Sequence, residues 1–146
     1  MKVIVQRSLH SSVSVNNNVI GEIEKGIVLL VGFNVDDTVD DIKYMVKKIP
    51  NLRIFDDESG IMNYSLLQSG GEILSISQFT LYADTKKGNR PSYIHAMKNE
   101  TAKKLYDYFN EELKKMGIIV KTGQFGADMK VSITNDGPVT IVLESR

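Results

Sequence analysis

Apolar and polar positions along the chain change rhythm several times, and each change predicts an element. From Lys2 to Val15 β-branched residues partly alternate with polar ones, and Asn16-Asn17-Asn18 supplies turn chemistry before Val19 to Ile23, which predicts a hairpin. Gly26 then opens Ile27-Val28-Leu29-Leu30-Val31, an unbroken apolar run that fits a strand buried on both faces and central in its sheet. Thr38-Val39-Asp40-Asp41 has the form of a capping box. Ile42, Met45, Val46 and Ile49 follow at helical spacing, and Pro50 stops the pattern, so a short amphipathic helix is predicted. Leu52 to Phe55 reads as a strand, Asp56 to Gly60 as a turn, and Glu72 to Tyr82 as a long strand with small and polar residues interleaved. Ala102, Leu105, Tyr106, Phe109, Leu113 and Met116 line one face of a second helix over Asn99 to Met116, capped by Gly117. Three segments close the chain: Ile118 to Lys121, Ala127 to Thr134 and Val139 to Glu144, with Asn135-Asp136-Gly137-Pro138 as a turn between the last two. Many strands and two helices, not in strict alternation, predict an α+β fold with the helices on one side of largely antiparallel sheet.

Composition narrows the class without naming a function. A chain of 146 residues fits one domain spanning 1–146 and buries roughly 70% of its unfolded surface. Hydrophobic residues at 42% with charged ones at 25% favour neither disorder nor a membrane protein. The longest apolar run, Ile27 to Phe33, is too short to span a bilayer, and charge interrupts Met1 to Arg7 before a signal-peptide core forms. A cytoplasmic protein with no membrane partner is the expectation. The absence of cysteine excludes disulfides, thiolate nucleophiles and sulfur-ligated metals, and two histidines, His10 and His95, are few for a metal site. No metal and no cofactor are expected. Lys plus Arg and Asp plus Glu number eighteen each, so any nucleic-acid contact must come from a local patch.

Acid-base chemistry usually recruits histidine or paired carboxylates, and neither stands out. The two histidines read as non-catalytic, and Asp56-Asp57-Glu58 as a solvated turn with metal binding as its alternative. Two other segments are harder to attribute to folding. Ser75-Ile76-Ser77-Gln78-Phe79-Thr80-Leu81 puts hydroxyls, an amide and an aromatic ring at the end of an apolar strand, where buried polar groups need partners or a ligand. On a regular strand Ser77 and Phe79 would share one face and Gln78 and Thr80 the other. The second segment is Asn135-Asp136-Gly137-Pro138-Val139-Thr140. Its Gly-Pro step is a candidate cis peptide, although an ordinary trans turn is the commoner outcome.

Together, in this order and near this separation, the two segments resemble the signature motifs of the D-aminoacyl-tRNA deacylases. The similarity extends over almost the whole chain, through Val5-Gln6-Arg7, Lys48 to Phe55, Ser77 to Asp84, Lys87 to Pro91 and Thr122 to Ala127. It departs from the commoner pattern at Ser8, His10 and Ser11, where valine, arginine and alanine are more usual. The resemblance implies a homodimer of layered, barrel-like β-sandwich architecture with two main helices on one side. It implies that the Gly137-Pro138 turn is cis and reaches into the active site of the other subunit, where backbone carbonyls crowd the position of an L side chain. D-aminoacyl-tRNA and mischarged glycyl-tRNA would then be substrates, because neither meets that clash. Ser77, Gln78, Phe79 and Thr80 would form the catalytic wall around the scissile ester and terminal adenosine. Phe125 and Met129 match positions near the adenine, Thr140 follows the turn, and Arg7 matches an arginine that braces the Gly-Pro carbonyls; its alternative is a surface arginine on a strand.

Ester hydrolysis needs an activated nucleophile and a stabilised oxyanion. Thr80 is the one nearby hydroxyl to nominate, but no base stands beside it in the motif. The alternative is that the tRNA's terminal 2′-hydroxyl helps activate water while backbone N–H groups near Phe79 and Thr80 hold the oxyanion. Lys86, Lys87 and Arg90, in the basic loop after the strand motif, are candidate phosphate contacts or simply solvated charges. The rival reading is a catalytically silent, nucleic-acid-binding dimer of the same fold.

Overall fold

The computed structural model describes residues 1–146 and builds the chain around one strongly curved sheet. Its strands are β1 (Lys2–Val15), β2 (Asn18–Ile23), β3 (Gly26–Gly32), β6 (Glu72–Ser77), β7 (Val120–Thr122) and β8 (Lys130–Glu144). Between β3 and β6 lie helix α1 (Val39–Lys48), a 3-10 turn at Ile49–Asn51, the small ladder of β4 (Phe55–Asp56) and β5 (Met62–Tyr64), and the short helix α2 (Leu66–Ser69). A second 3-10 turn, Phe79–Tyr82, follows β6, and α3 (Asn99–Lys115) precedes β7.

The main sheet runs β2-β1-β3-β6-β7, with β8 also paired to β1. The β1 ladders to β2, β3 and β8 are antiparallel, as the pattern predicted, whereas β3–β6 and β6–β7 are parallel. Crossovers through α1 and α3 dictate this, since a strand that returns by way of a helix re-enters the sheet in the same direction. Gly26 lets the first parallel pair close: a Cβ there would sit 1.9 Å from the Glu72 carbonyl oxygen.

The unbroken apolar run on β3 is buried on both faces because it separates two cores. Ile27, Leu29 and Val31 face a large cluster with Val3, Val5 and Ile73 and with Ile42, Met45, Tyr106, Phe109 and Leu113 from α1 and α3, so both main helices cover the same side. Val28 faces a smaller cluster of Val13, Ile23, Leu74 and Ile76, against which Leu30, Met129, Val131 and Ile133 pack. That second cluster contains only sheet residues and the approach to β8. The sheet has therefore curled over it into a nearly closed barrel.

Three strand boundaries differ from the sequence expectation. Leu52 to Phe55 is not a strand: only Phe55–Asp56 pairs, because the Ile54 carbonyl is taken by Arg7 Nη1 at 2.8 Å instead of a neighbouring strand. Glu72 to Tyr82 is not one strand either. The β6 ladder to β3 ends at Ser77, Gln78 turns out of strand geometry at φ −146° and ψ 78°, and Phe79–Tyr82 coils. Last, Asn135-Asp136-Gly137-Pro138 does not separate two strands. It lies within the single strand β8, which stays on β1 through register shifts between Gln6 and Ser8 and between Ser8 and Ser11.

Candidate functional site

The end of β6 opens a cavity of about 320 Å³. Ser77, Gln78 and Phe79 form one wall, and Phe125 and Met129, from the segment between β7 and β8, form the opposite one. Val31, Phe33, Met97 and Ala102 make an apolar floor. The strand motif and the Phe125–Met129 segment thus share one pocket, which neither Thr80 nor the Asn135–Thr140 motif lines, while the floor residues read from sequence simply as core. Met97 and Ala102 are the informative omission: they bring the start of α3 to the cavity, and only the fold makes them neighbours of Ser77.

Because the strand ends at Ser77, the alternating faces expected for residues 77 to 80 do not exist. Coiling aims these residues differently. Phe79 is 52% exposed and meets the Tyr93 ring edge-on, with centroids 5.0 Å apart. The Gln78 side-chain amide donates a hydrogen bond to Thr80 Oγ1, and its backbone N–H donates to the Val31 carbonyl at 2.7 Å. Within the turn the first hydrogen bond runs from Leu81 N–H to the Gln78 carbonyl, followed by Ala83 N–H to Thr80. The amides of Phe79 and Thr80 precede that first bond, so the turn offers them no acceptor of its own. Phe79 lines the cavity and Thr80 follows it in the chain, and two adjacent N–H donors next to a pocket suit a developing oxyanion.

No base stands by Thr80. His10 is exposed and pairs with Glu22 at 3.2 Å, and His95 is exposed with its nearest carboxylate, Asp84, at 3.8 Å. The acidic turn is occupied structurally. Asp57 accepts the Ser59 and Ile61 amides and the Asn63 side chain, with the Ile61 bond the largest influence holding its carboxyl below the usual range. Glu58 accepts from Tyr64 and is lowered by that bond. No cluster of three or more His, Cys, Asp or Glu side chains is arranged to hold a metal.

Gly137 and Pro138 lie elsewhere. They are exposed on β8, joined by a cis peptide bond, and line no part of the cavity formed by their own chain. Thr140, also exposed, is paired with Gln6 and lies 3.4 Å from its side-chain amide. Arg7, in contrast, is only 7% exposed. Its Nε donates to the Asp136 carbonyl at 3.0 Å and approaches the Asp136 carboxylate at 3.5 Å, while Nη1 reaches the Ile54 carbonyl and, at 3.3 Å, Asp56. It is not a surface arginine but a buried clamp on the residue preceding Gly137. Gly137 has φ +130°, and a Cβ there would come within 2.9 Å of Val139 N and 3.3 Å of Arg7 Nη2, so the position accepts little else.

Lys86, Lys87 and Arg90 are exposed and make no ion pair, in a loop closed by the Asp84–Ser92 bridge. Their positive charge is unspent within the chain. No helix is long and apolar enough to cross a membrane.

Comparison with known proteins gives a consistent result. A family described as D-Tyr-tRNA(Tyr) deacylase matches residues 4–144. Proteins called D-aminoacyl-tRNA deacylase are similar over the full length of both chains, at 53% identity in Bacillus cytotoxicus and 54% in Bacillus mycoides. Among solved structures, one titled c-Myc DNA Unwinding Element Binding Protein superposes with a TM-score of 0.95 at 46% identity, covering 100% of this chain and 99% of its own. Another, described as a probable eukaryotic D-amino acid tRNA deacylase, covers 97% of both chains with a TM-score of 0.83; at 18% identity it speaks to the fold alone.

Proposed function

The chain belongs to the D-Tyr-tRNA(Tyr) deacylase family, and we propose that it hydrolyses the ester of D-aminoacyl-tRNA at the Ser77–Thr80 turn, releasing a D-amino acid and free tRNA. The observation that carries the mechanism is the pair of Phe79 and Thr80 amides heading a 3-10 turn beside an apolar cavity, with no side-chain base in reach. Aminoacyl esters are already reactive, and one oxyanion donor contributes roughly 10² to 10³ in rate. Thr80 is a poor nucleophile here. Its oxygen accepts the Gln78 amide, which draws electron density away from attack, and nothing removes its proton. The tRNA's terminal 2′-hydroxyl is the better activator of water. Phe125 and Met129 then flank the terminal adenosine.

The working unit is a homodimer. Two observations favour it: β8 pairs with β1 alone, leaving the other edge of a 15-residue strand open, and the Gly137-Pro138 turn on that strand lines no part of its own chain's cavity. In the dimer the turn reaches the partner's pocket and its carbonyls exclude an L side chain, so D-aminoacyl-tRNA and glycyl-tRNA pass. Arg7 holds the turn in place from behind.

The test is hydrolysis of matched D- and L-tyrosyl-tRNA, with a D substrate ending in 2′-deoxyadenosine beside them. Loss of the D ester alone, and its persistence on the deoxy end, are the expected results. Normal cleavage of the deoxy substrate returns Thr80 to the role of nucleophile. A second reading, a silent nucleic-acid-binding dimer, rests on the DNA-binding title of the 46% identical structure. Failure to cleave either ester above the spontaneous rate, with retained DNA binding, would select it.

A further inference from the structure

We propose that Tyr106 is a positioning residue that sets the width of the substrate pocket, by fastening its two walls to a single backbone carbonyl. The inference rests on the reading that Phe125 faces the terminal nucleoside. Ser75 lies on β6 two residues before Ser77, and its carbonyl accepts the Tyr106 hydroxyl at 2.7 Å. The same oxygen receives the Gly123 N–H at 3.4 Å, and Gly123 lies two residues before Phe125. The amide contact is long, so the phenol makes the stronger of the two bonds. Tyr106 also touches the far wall directly, its ring centroid 5.7 Å from that of Phe125 at an interplanar angle of 46°.

Phe125 has limited support of its own. It lines the substrate cavity and also a second cavity of about 320 Å³ between α3 and residues 122 to 125, so its ring is packed only in part, where it rests on the main core that holds Tyr106. Tyr106 comes from the middle of α3, is buried to 3% exposure, and is anchored among Phe109 and Leu113 in the main core. A phenylalanine would fill the same volume. What the hydroxyl adds is the bond to β6, and with it a fixed distance between the Ser77 wall and the Phe125 wall.

Tyr106→Phe keeps the ring and the core volume, so the fold is retained. The expected outcome with D-tyrosyl-tRNA is a KM raised about threefold to tenfold, the worth of one hydrogen bond, with kcat unchanged within about twofold. A second readout needs no catalysis. The chain contains no tryptophan, so Phe125→Trp installs a sole tryptophan on the far wall, excited selectively over the tyrosines, and adding Tyr106→Phe should increase its quenching by acrylamide. Unchanged KM with unchanged quenching overturns the proposal, as does a fall in kcat alone or a lowered Tm with neither change. If the unsubstituted protein leaves D-tyrosyl-tRNA intact, the reading of function fails, and the quenching comparison still decides whether Tyr106 holds Phe125.

Discussion

Replacing Arg7 by methionine keeps the buried stem of the side chain and deletes the guanidinium, which isolates the clamp from the packing around it. Two of its hydrogen bonds are to backbone carbonyls in protected surroundings, Asp136 at 3.0 Å and Ile54 at 2.8 Å. Each carbonyl left without its charged donor costs about 1–3 kcal/mol. The carboxylates of Asp56 and Asp136, half and two-fifths exposed, add little, since ion pairs in contact with water are worth about 0–1 kcal/mol. Relief from burying a cation offsets part of the loss, and a net destabilisation of about 3 kcal/mol remains. With a urea dependence of about 2 kcal/mol per molar, the unfolding midpoint should fall by about 1.5 M, read by circular dichroism at fixed protein concentration because the proposed dimerisation would couple to stability. Arg7→Lys cannot reach both carbonyls and should lose about 1–2 kcal/mol. D-tyrosyl-tRNA hydrolysis should fall more than stability does, measured where each variant is fully folded. A midpoint for Arg7→Met within about 0.5 M of the parent protein would refute the clamp.

Three other variants probe the turn, the basic loop and the Asp41 carboxylate. Gly137→Ala forces a Cβ against Val139 N in a backbone region that L residues avoid, and should cost about 1–3 kcal/mol in urea unfolding; a neutral result would mean the turn relaxes freely. Alanine at Lys86, Lys87 and Arg90 together should flatten the salt dependence of tRNA binding by about 0.7–0.9 for each phosphate no longer neutralised, and an unchanged slope removes them from the interface. Burial raises the Asp41 carboxyl, but the Ser145 hydroxyl, the Thr38 amide, the N-terminal ammonium and Arg146 outweigh it and bring it down from 3.8 to about 2. Because the folded value is the lower one, the stabilisation is complete above about pH 4 and is lost as pH falls toward 2; Asp41→Asn should therefore lower Tm at pH 7 and converge with the parent protein across that window.

The sequence revealed elements with strong periodicity and missed those decided by a distant partner. The hairpin of β1 and β2, the doubly buried β3 and both long helices follow from apolar spacing, and all are present. Leu52–Phe55 has strand-like residues, yet Arg7, remote in sequence, occupies the Ile54 carbonyl and local propensity has no access to that. The helix α2 has a signal in the sequence too short to stand out: Ser65 and Gln68 form a capping box, with the Ser65 hydroxyl accepting the Gln68 amide. Turn chemistry at Asn135 to Pro138 was legible, but not its location within a continuous strand, because β1 supplies the bend that accommodates it. Of the residues singled out by pattern and resemblance, 77 to 79, 125 and 129 line the cavity, and Thr80 does not. Tyr106 was not singled out, since a buried aromatic on a helix face reads as core, and it is core by packing while its hydroxyl serves the pocket.

These observations share a cause. Both groups proposed to act on the substrate, the Phe79 and Thr80 amides and the carbonyls of the Gly137-Pro138 turn, belong to the main chain. Main-chain donors and acceptors are present whatever the side chain, so a search for histidines and carboxylates returns nothing, as His10, His95 and the Asp56–Glu58 turn illustrate. Sensitivity to substitution must then move one step back, to the side chains that fix where the backbone lies. Arg7 holds the Asp136 carbonyl, Gln78 braces Thr80, and Tyr106 fastens Ser75. The pattern expected across these positions is specific: removing the Thr80 hydroxyl, as in Thr80→Val, should cost less activity than removing a buried brace, as in Arg7→Met. An enzyme using a side-chain nucleophile would show the reverse order, with Thr80→Val falling by a factor of about 10⁴ or more, as loss of a catalytic nucleophile does.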